Sequence, residues 1–126
     1  MLKETIISII IVVSIITLDF ITQDYTKESV KETTSNLSEV KNNIEKNTER
    51  INELVDKTFD VWEKRYSKLA YFIEHDELEK VKTNLINMKS YVELNNFDMA
   101  ISSIEETEFV LEHIQDKNSF NLQNIF

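Results

Sequence analysis

Apolar residues follow two different rhythms along this chain. From Thr5 to Leu18, TIISIIIVVSIITL, no charge interrupts them, and after Asp19 the apolar character resumes with Phe20 and Ile21. From Val30 they recur at helical spacing instead, at Val30, Leu37, Val40, Ile44, Ile51 and Leu54, with Asn47 where another apolar side chain is expected. The first rhythm predicts a membrane-spanning helix. Thr5 to Ile21 reaches about 25 Å as a helix, against a hydrocarbon core of roughly 30 Å, a gap that local thinning or snorkelling closes. A cleaved signal peptide is the rival reading. However, DFITQDYTKE follows the run without a small-x-small cleavage motif, and the first alanine is Ala70, so an uncleaved anchor over residues 1–24 is expected.

The next segment, KETTSNLSEVKNNIEKN, has few apolar residues and a narrow stripe. It predicts a stalk helix over residues 25–47. Asn47 at a core heptad position makes a stalk that pairs with a second copy conceivable, and hence a homodimer. Residues 48–126 predict an antiparallel helical bundle. A helix capped at Asn47-Thr48, with Glu49 in its first turn, carries Ile51, Leu54, Val55, Phe59, Trp62, Tyr66, Leu69, Phe72 and Ile73, a face wide enough for two neighbours. A second helix, opened by Asp76 with Glu79 as a capping-box partner, presents Leu78, Val81, Leu85, Met88 and Val92. Asn95-Asn96 then replaces the usual helix-ending glycine, and a last helix offers Phe97, Ala100, Ile101, Ile104, Leu111 and Ile114. The tail KNSFNLQNIF carries Phe120, Leu122, Ile125 and Phe126, which are costly to leave in water together, so it is expected to fold back on the bundle.

Composition sharpens this picture. The 126 residues include no Gly, Pro or Cys. At usual frequencies roughly 15 Gly and Pro would be present, and without them tight hairpins are removed from the menu. The fold class is therefore all-α: an N-terminal transmembrane or signal-anchor helix leading into a small antiparallel bundle of three to four helices. Absence of Cys excludes disulfides, thiolate metal sites and cysteine nucleophiles. A net charge of -9 argues against nucleic acid as a partner, since that interaction depends on a basic face. Lys3 competes with Lys27 and Lys31 under the positive-inside rule, but a four-residue tail is easily left in the cytoplasm. A single-pass protein of the cell membrane with an extracytoplasmic bundle is expected.

Candidate chemistry concentrates at one end of the bundle. In YFIEHDELEKV, four acids surround His75, and antiparallel helices place residue 76 level with about residue 114, bringing His113 to the same end. Two imidazoles with Glu77 and Glu79 would suit zinc or another divalent ion, provided the atoms converge at about 2.0 to 2.2 Å. The plainer reading is structural: acids complement the dipole of a helix start, and histidines near helix ends cap exposed carbonyls. No H-E-x-x-H spacing, Ser-His-Asp order or glycine-rich phosphate loop is present, so an enzyme is not expected, nor is a resident cofactor. Trp62, Tyr66 and Phe72 form an aromatic stripe best read as core. Glu105, Glu108 and Glu112 share a face in a stretch, residues 93–126, that holds seven acids against Lys117 alone, a surface suited to a basic partner.

The anchor, VWEKRYSKLAYFIEHDELEKV, VLEHI and LQNIF together resemble family four-three-six-three of the domains of unknown function, short bacterial membrane-anchored helical proteins. The family pattern has a Trp on the second helix, then H-x-E-[IL]-D-x-I, a late L-x-H-I and a closing N-I-[FL]. Trp62, His75, Glu77, Leu78, Val81, His113, Ile114, Asn124, Ile125 and Phe126 fit it, while Glu79 replaces Asp with a longer arm. The resemblance implies a helical domain outside or against the membrane, with nothing catalytic, and picks out a polar network of His75, Glu77, Glu79, His113 and Asn124. That network could hold a metal, the folded-back tail or only itself; the tail is the preferred reading, with Asn124 pairing with the cluster while Ile125 and Phe126 plug the bundle. The expected role is a non-enzymatic accessory or interaction module meeting another membrane or envelope protein. The alternative is a divalent-metal or small-ligand sensor built on the two-His acidic end.

Overall fold

The computed structural model describes the backbone of residues 1–125 and the side chains of residues 1–118. Its elements are α1 (Leu2–Lys46), α2 (Ile51–Leu69), α3 (His75–Glu93) and α4 (Phe97–Ile125). Each helix packs against the next, and α4 closes the ring against α1. With connections of four, five and three residues, successive helices run antiparallel.

Two of the three connections use asparagine where glycine is customary. Asn47 has φ 51° and Asn95 φ 57°, the left-handed region that Asn tolerates through its short polar side chain. At the first, Asn47 N–H donates to the Ile44 carbonyl and Thr48 N–H to that of Asn43, both at 3.1 Å. At the second, Asn95 N–H reaches the Val92 carbonyl and Asn96 N–H that of Tyr91, at 3.0 and 2.8 Å. Both are Schellman closures, which satisfy carbonyls otherwise left open at a helix end. Asn47 therefore ends α1 instead of opening α2, which begins at Ile51 with no side-chain cap. The expected capping box at Asp76 and Glu79 does not form either. Glu74 is the N-cap of α3, again without a side-chain bond, and Asp76 lies in the first helical turn.

The core runs the length of the bundle. Leu37 and Val40 from α1, Leu54, Val55 and Trp62 from α2, Leu78, Val81, Leu85 and Met88 from α3, and Ala100, Ile104 and Leu111 from α4 are all buried. Residues 25–47 are thus no free-standing stalk. Their stripe looked too narrow because Thr26, Ser29 and Thr33 complete it, each at most 1% exposed. Thr26 and Ser29 donate their hydroxyls to the carbonyls of Thr22 and Tyr25, four residues back, at 2.8 and 2.7 Å. A hydroxyl satisfied within its own helix presents only its carbon to the neighbour, so it packs as a small apolar group. Thr107 does the same on α4, donating to the Ser103 carbonyl at 2.7 Å, and Ser103 is buried beside it. Arg65 of α2 adds a charged tie by donating Nε to Glu32 of α1 at 2.8 Å.

The first half of α1 contrasts with all this. Its apolar window is long enough to cross a membrane, and none of that window is buried within the protein. Leu18, Phe20 and Ile21 are about as exposed as Ile9 to Val13. This single helix carries both regimes of the sequence, so the bundle is built directly onto the apolar segment.

Candidate functional site

The polar cluster lies at the end of the bundle where α1 leaves it. Glu77 sits one position before Leu78 on the inner stripe of α3, and this register draws it inside, leaving it 8% exposed. On the antiparallel α4, His113 and Lys117 are four residues apart and share a face. His113 Nε2 lies 3.4 Å from Glu77 Oε1, and Lys117 Nζ lies 3.9 Å from the same oxygen. Lys117 makes its shorter contact, 2.9 Å, with Glu74 Oε1. Its hydrogen bond holds the Glu74 carboxyl below the usual carboxylate range, and Glu74 in return holds the Lys117 ammonium above its ordinary value. The second oxygen of Glu77, Oε2, is buried without a partner among the described residues.

Beside this pair lies a half-open cavity of about 140 Å³, lined by Phe72, Ile73, Glu74, Glu77, Ile114, Lys117 and Asn118. It is tied to α1 at two points. Gln23 Nε2 donates to the Asn118 carbonyl at 3.1 Å, and the Phe72 ring meets Tyr25 edge-on with centroids 6.3 Å apart. Arg65 and Lys68 face the ring of Tyr25 at 5.1 and 5.6 Å, a double cation–π contact.

The sequence-level candidates divide as follows. Glu77 and His113 meet. His75 opens α3, mostly exposed, and faces Glu79 one turn along at 3.5 Å. The two imidazoles therefore engage separate carboxylates, and among the described residues no group of three His, Asp or Glu could hold a metal ion. The Asn124 side chain and the expected docking of the tail lie outside the described residues. Trp62 is 1% exposed, while Tyr66 and Phe72 are half-buried against the core. On the acidic face of α4, Lys41 lies 3.4 Å from Glu105, and partial burial raises the pKa of Glu108 above the usual carboxylate value.

Sequence reasoning missed Lys117, Asn118 and Gln23. The spacing of Lys117 from His113 was a readable signal, since residues four apart share a helix face; the Gln23 contact spans 95 positions and left none.

A family model for a domain of unknown function, DUF4363, matches residues 20–125. The chain belongs to this family. DUF4363 membership spans the whole bundle, including every residue of the Glu77 cluster and its cavity. No curated protein and no solved structure shows significant similarity to the chain.

Proposed function

We propose that this DUF4363 chain is a single-span membrane protein whose bundle stands on the bilayer surface, outside the cytoplasm, and works by binding another envelope protein and not by catalysis. The observation that carries the reading is the apolar window of α1, wholly unburied and continuous with a bundle helix. A soluble helix this apolar would bury its face, because leaving it in water forfeits about 25 cal/mol for each Å². Tyr71 supports the reading. It is 89% exposed in the α2–α3 turn, beside the Phe72 contact with Tyr25, and interfacial aromatics favour headgroup depth.

The acidic face of α4 is the surface we assign to the partner. Phe109, 72% exposed, stands among Glu105, Glu106 and Glu112, an apolar anchor ringed by negative charge that suits a basic counterpart. The absence of cysteine makes topology directly testable. A lone Leu94→Cys at the far end of the bundle is expected to react with a membrane-impermeant maleimide in intact cells, and protection until lysis would overturn the orientation. A photo-crosslinker at position 109 is expected to give one discrete adduct in native membranes. No adduct there would remove α4 as the partner surface.

A further inference from the structure

The cavity at the α1 end joins three features that the interaction reading leaves unused. The first is the unpaired acceptor. Glu77 Oε2 is buried on a carboxylate that lines the cavity and has no donor among the described residues, and an acceptor kept from water without a donor is costly. The second is charge. Glu74 and Glu77 set two carboxylates beside the single ammonium of Lys117, with the His113 imidazole on Glu77 Oε1 as well. The third is shape. At about 140 Å³ the cavity far exceeds the ~10–15 Å³ that one water needs and falls short of the ~300 Å³ at which sites for drug-sized ligands begin. Phe72, Ile73 and Ile114 give it apolar walls. Together these fit a small monovalent cation with N–H donors and a short carbon chain. Divalent metal does not fit, because the donors are two carboxylates, one of them already bonded to Lys117.

Position supplies the source. Gln23, bonded to Asn118 in the cavity wall, lies two residues past the apolar run, and Tyr25, packed on Phe72, lies four past it. At about 1.5 Å per residue the cavity stands roughly 3–6 Å beyond the hydrocarbon boundary, inside a headgroup layer about 5–8 Å thick on each side. We propose that this cavity receives the primary ammonium of a phospholipid headgroup, with an N–H donating to Glu77 Oε2 and the ethylene group lying against Phe72, Ile73 and Ile114. The inference rests on the membrane-spanning reading of α1. It implies selectivity, because a quaternary choline ammonium has no N–H and leaves Oε2 unpaired.

The test uses the full chain in nanodiscs of equal phosphatidylethanolamine and phosphatidylcholine, with retained lipid counted by native mass spectrometry. Phosphatidylethanolamine is expected to be enriched about tenfold, the scale set by leaving a buried acceptor unpaired, and Glu77→Gln is expected to abolish the preference. Equal retention of both lipids by the wild type overturns the proposal. Should Glu77→Gln fail to fold, Ile73→Phe narrows the cavity without touching the charge and is expected to have the same effect. Free ethanolamine is expected to displace the retained lipid, and retention indifferent to it would overturn the ammonium as the recognised group. Ethanolamine that shifts the Ile73 and Ile114 methyl resonances without any lipid preference would assign the cavity to a soluble amine and overturn the headgroup. Flotation with vesicles separates the two levels: a chain that stays at the bottom sinks the membrane reading, whereas one that floats without the preference sinks this inference alone.

Discussion

Leu37→Ala asks whether residues 25–47 belong to the bundle. Leu37 is fully buried in the core. Removing three of its carbons forfeits about 2.4 kcal/mol of transfer free energy at ~0.8 kcal/mol per carbon. The cavity left behind raises the loss to about 3–4 kcal/mol, within the range found for buried leucines. On an exposed helix the same change would be near neutral, because Ala is the better helix former by a few tenths of a kcal/mol. Trp62, the only tryptophan and 1% exposed, reports unfolding of the bundle through its fluorescence. In urea, with the full chain in detergent and a slope of about 1–3 kcal/mol per M, the midpoint is expected to fall by about 1–4 M. Ile11→Ala, in the unburied apolar window, is expected to leave that midpoint where it was. A Leu37→Ala midpoint within about 0.2 M of wild type would refute the packing of α1 against its neighbours.

Other consequences follow from single residues. The Thr33 hydroxyl is buried with no partner among the described residues, so Thr33→Val is expected to raise the unfolding free energy by about 1 kcal/mol in the same urea assay. The Glu74–Lys117 pair carries a pH signature. Glu74 is depressed, so its contribution is present above the unfolded value of 4.5 and lost as pH falls through the folded one; Lys117 is raised, so its contribution is full below 10.5 and lost as pH climbs past the folded value. Carboxyl NMR is expected to show Glu74 titrating below 4.5 in the wild type and returning toward it in Lys117→Met. Asn95→Gly is expected to stabilise by about 1 kcal/mol, because glycine takes the left-handed conformation without steric cost, and a lowered midpoint would contradict the assigned φ.

Apolar periodicity located the helices well because α2, α3 and α4 each bury a stripe of large side chains. Leu78, Val81, Leu85, Met88 and Val92, read as one face, are all buried. Helix ends were less legible. Asn47 is equally good as an N-cap and as a left-handed C-terminal residue, and only the path of the chain decides between them. The stalk reading failed on Thr26 and Ser29, because hydropathy counts a hydroxyl as polar whether or not its own helix already satisfies it, and on Thr33, which is buried all the same. At the candidate site the antiparallel register brought Glu77 to His113. The four-residue spacing of His75 and Glu79 was a readable pairing signal, but nothing in the local spacing revealed that Lys117 would take Glu74, or that one oxygen of Glu77 would stay without a partner among the described residues.

The unbroken length of α1 has a mechanical consequence. From Ile21 to Lys46 the helix extends about 38 Å beyond the apolar segment at ~1.5 Å per residue, and the chain has no glycine or proline at which it could hinge. Three further helices are splinted to that shaft. On the membrane-spanning reading, a tilt of about 10° in the bilayer swings the Asn47 end sideways by about 7 Å, and such tilts answer to bilayer thickness. The bundle then works as a lever whose short arm lies in lipid and whose long arm reaches whatever stands beside it.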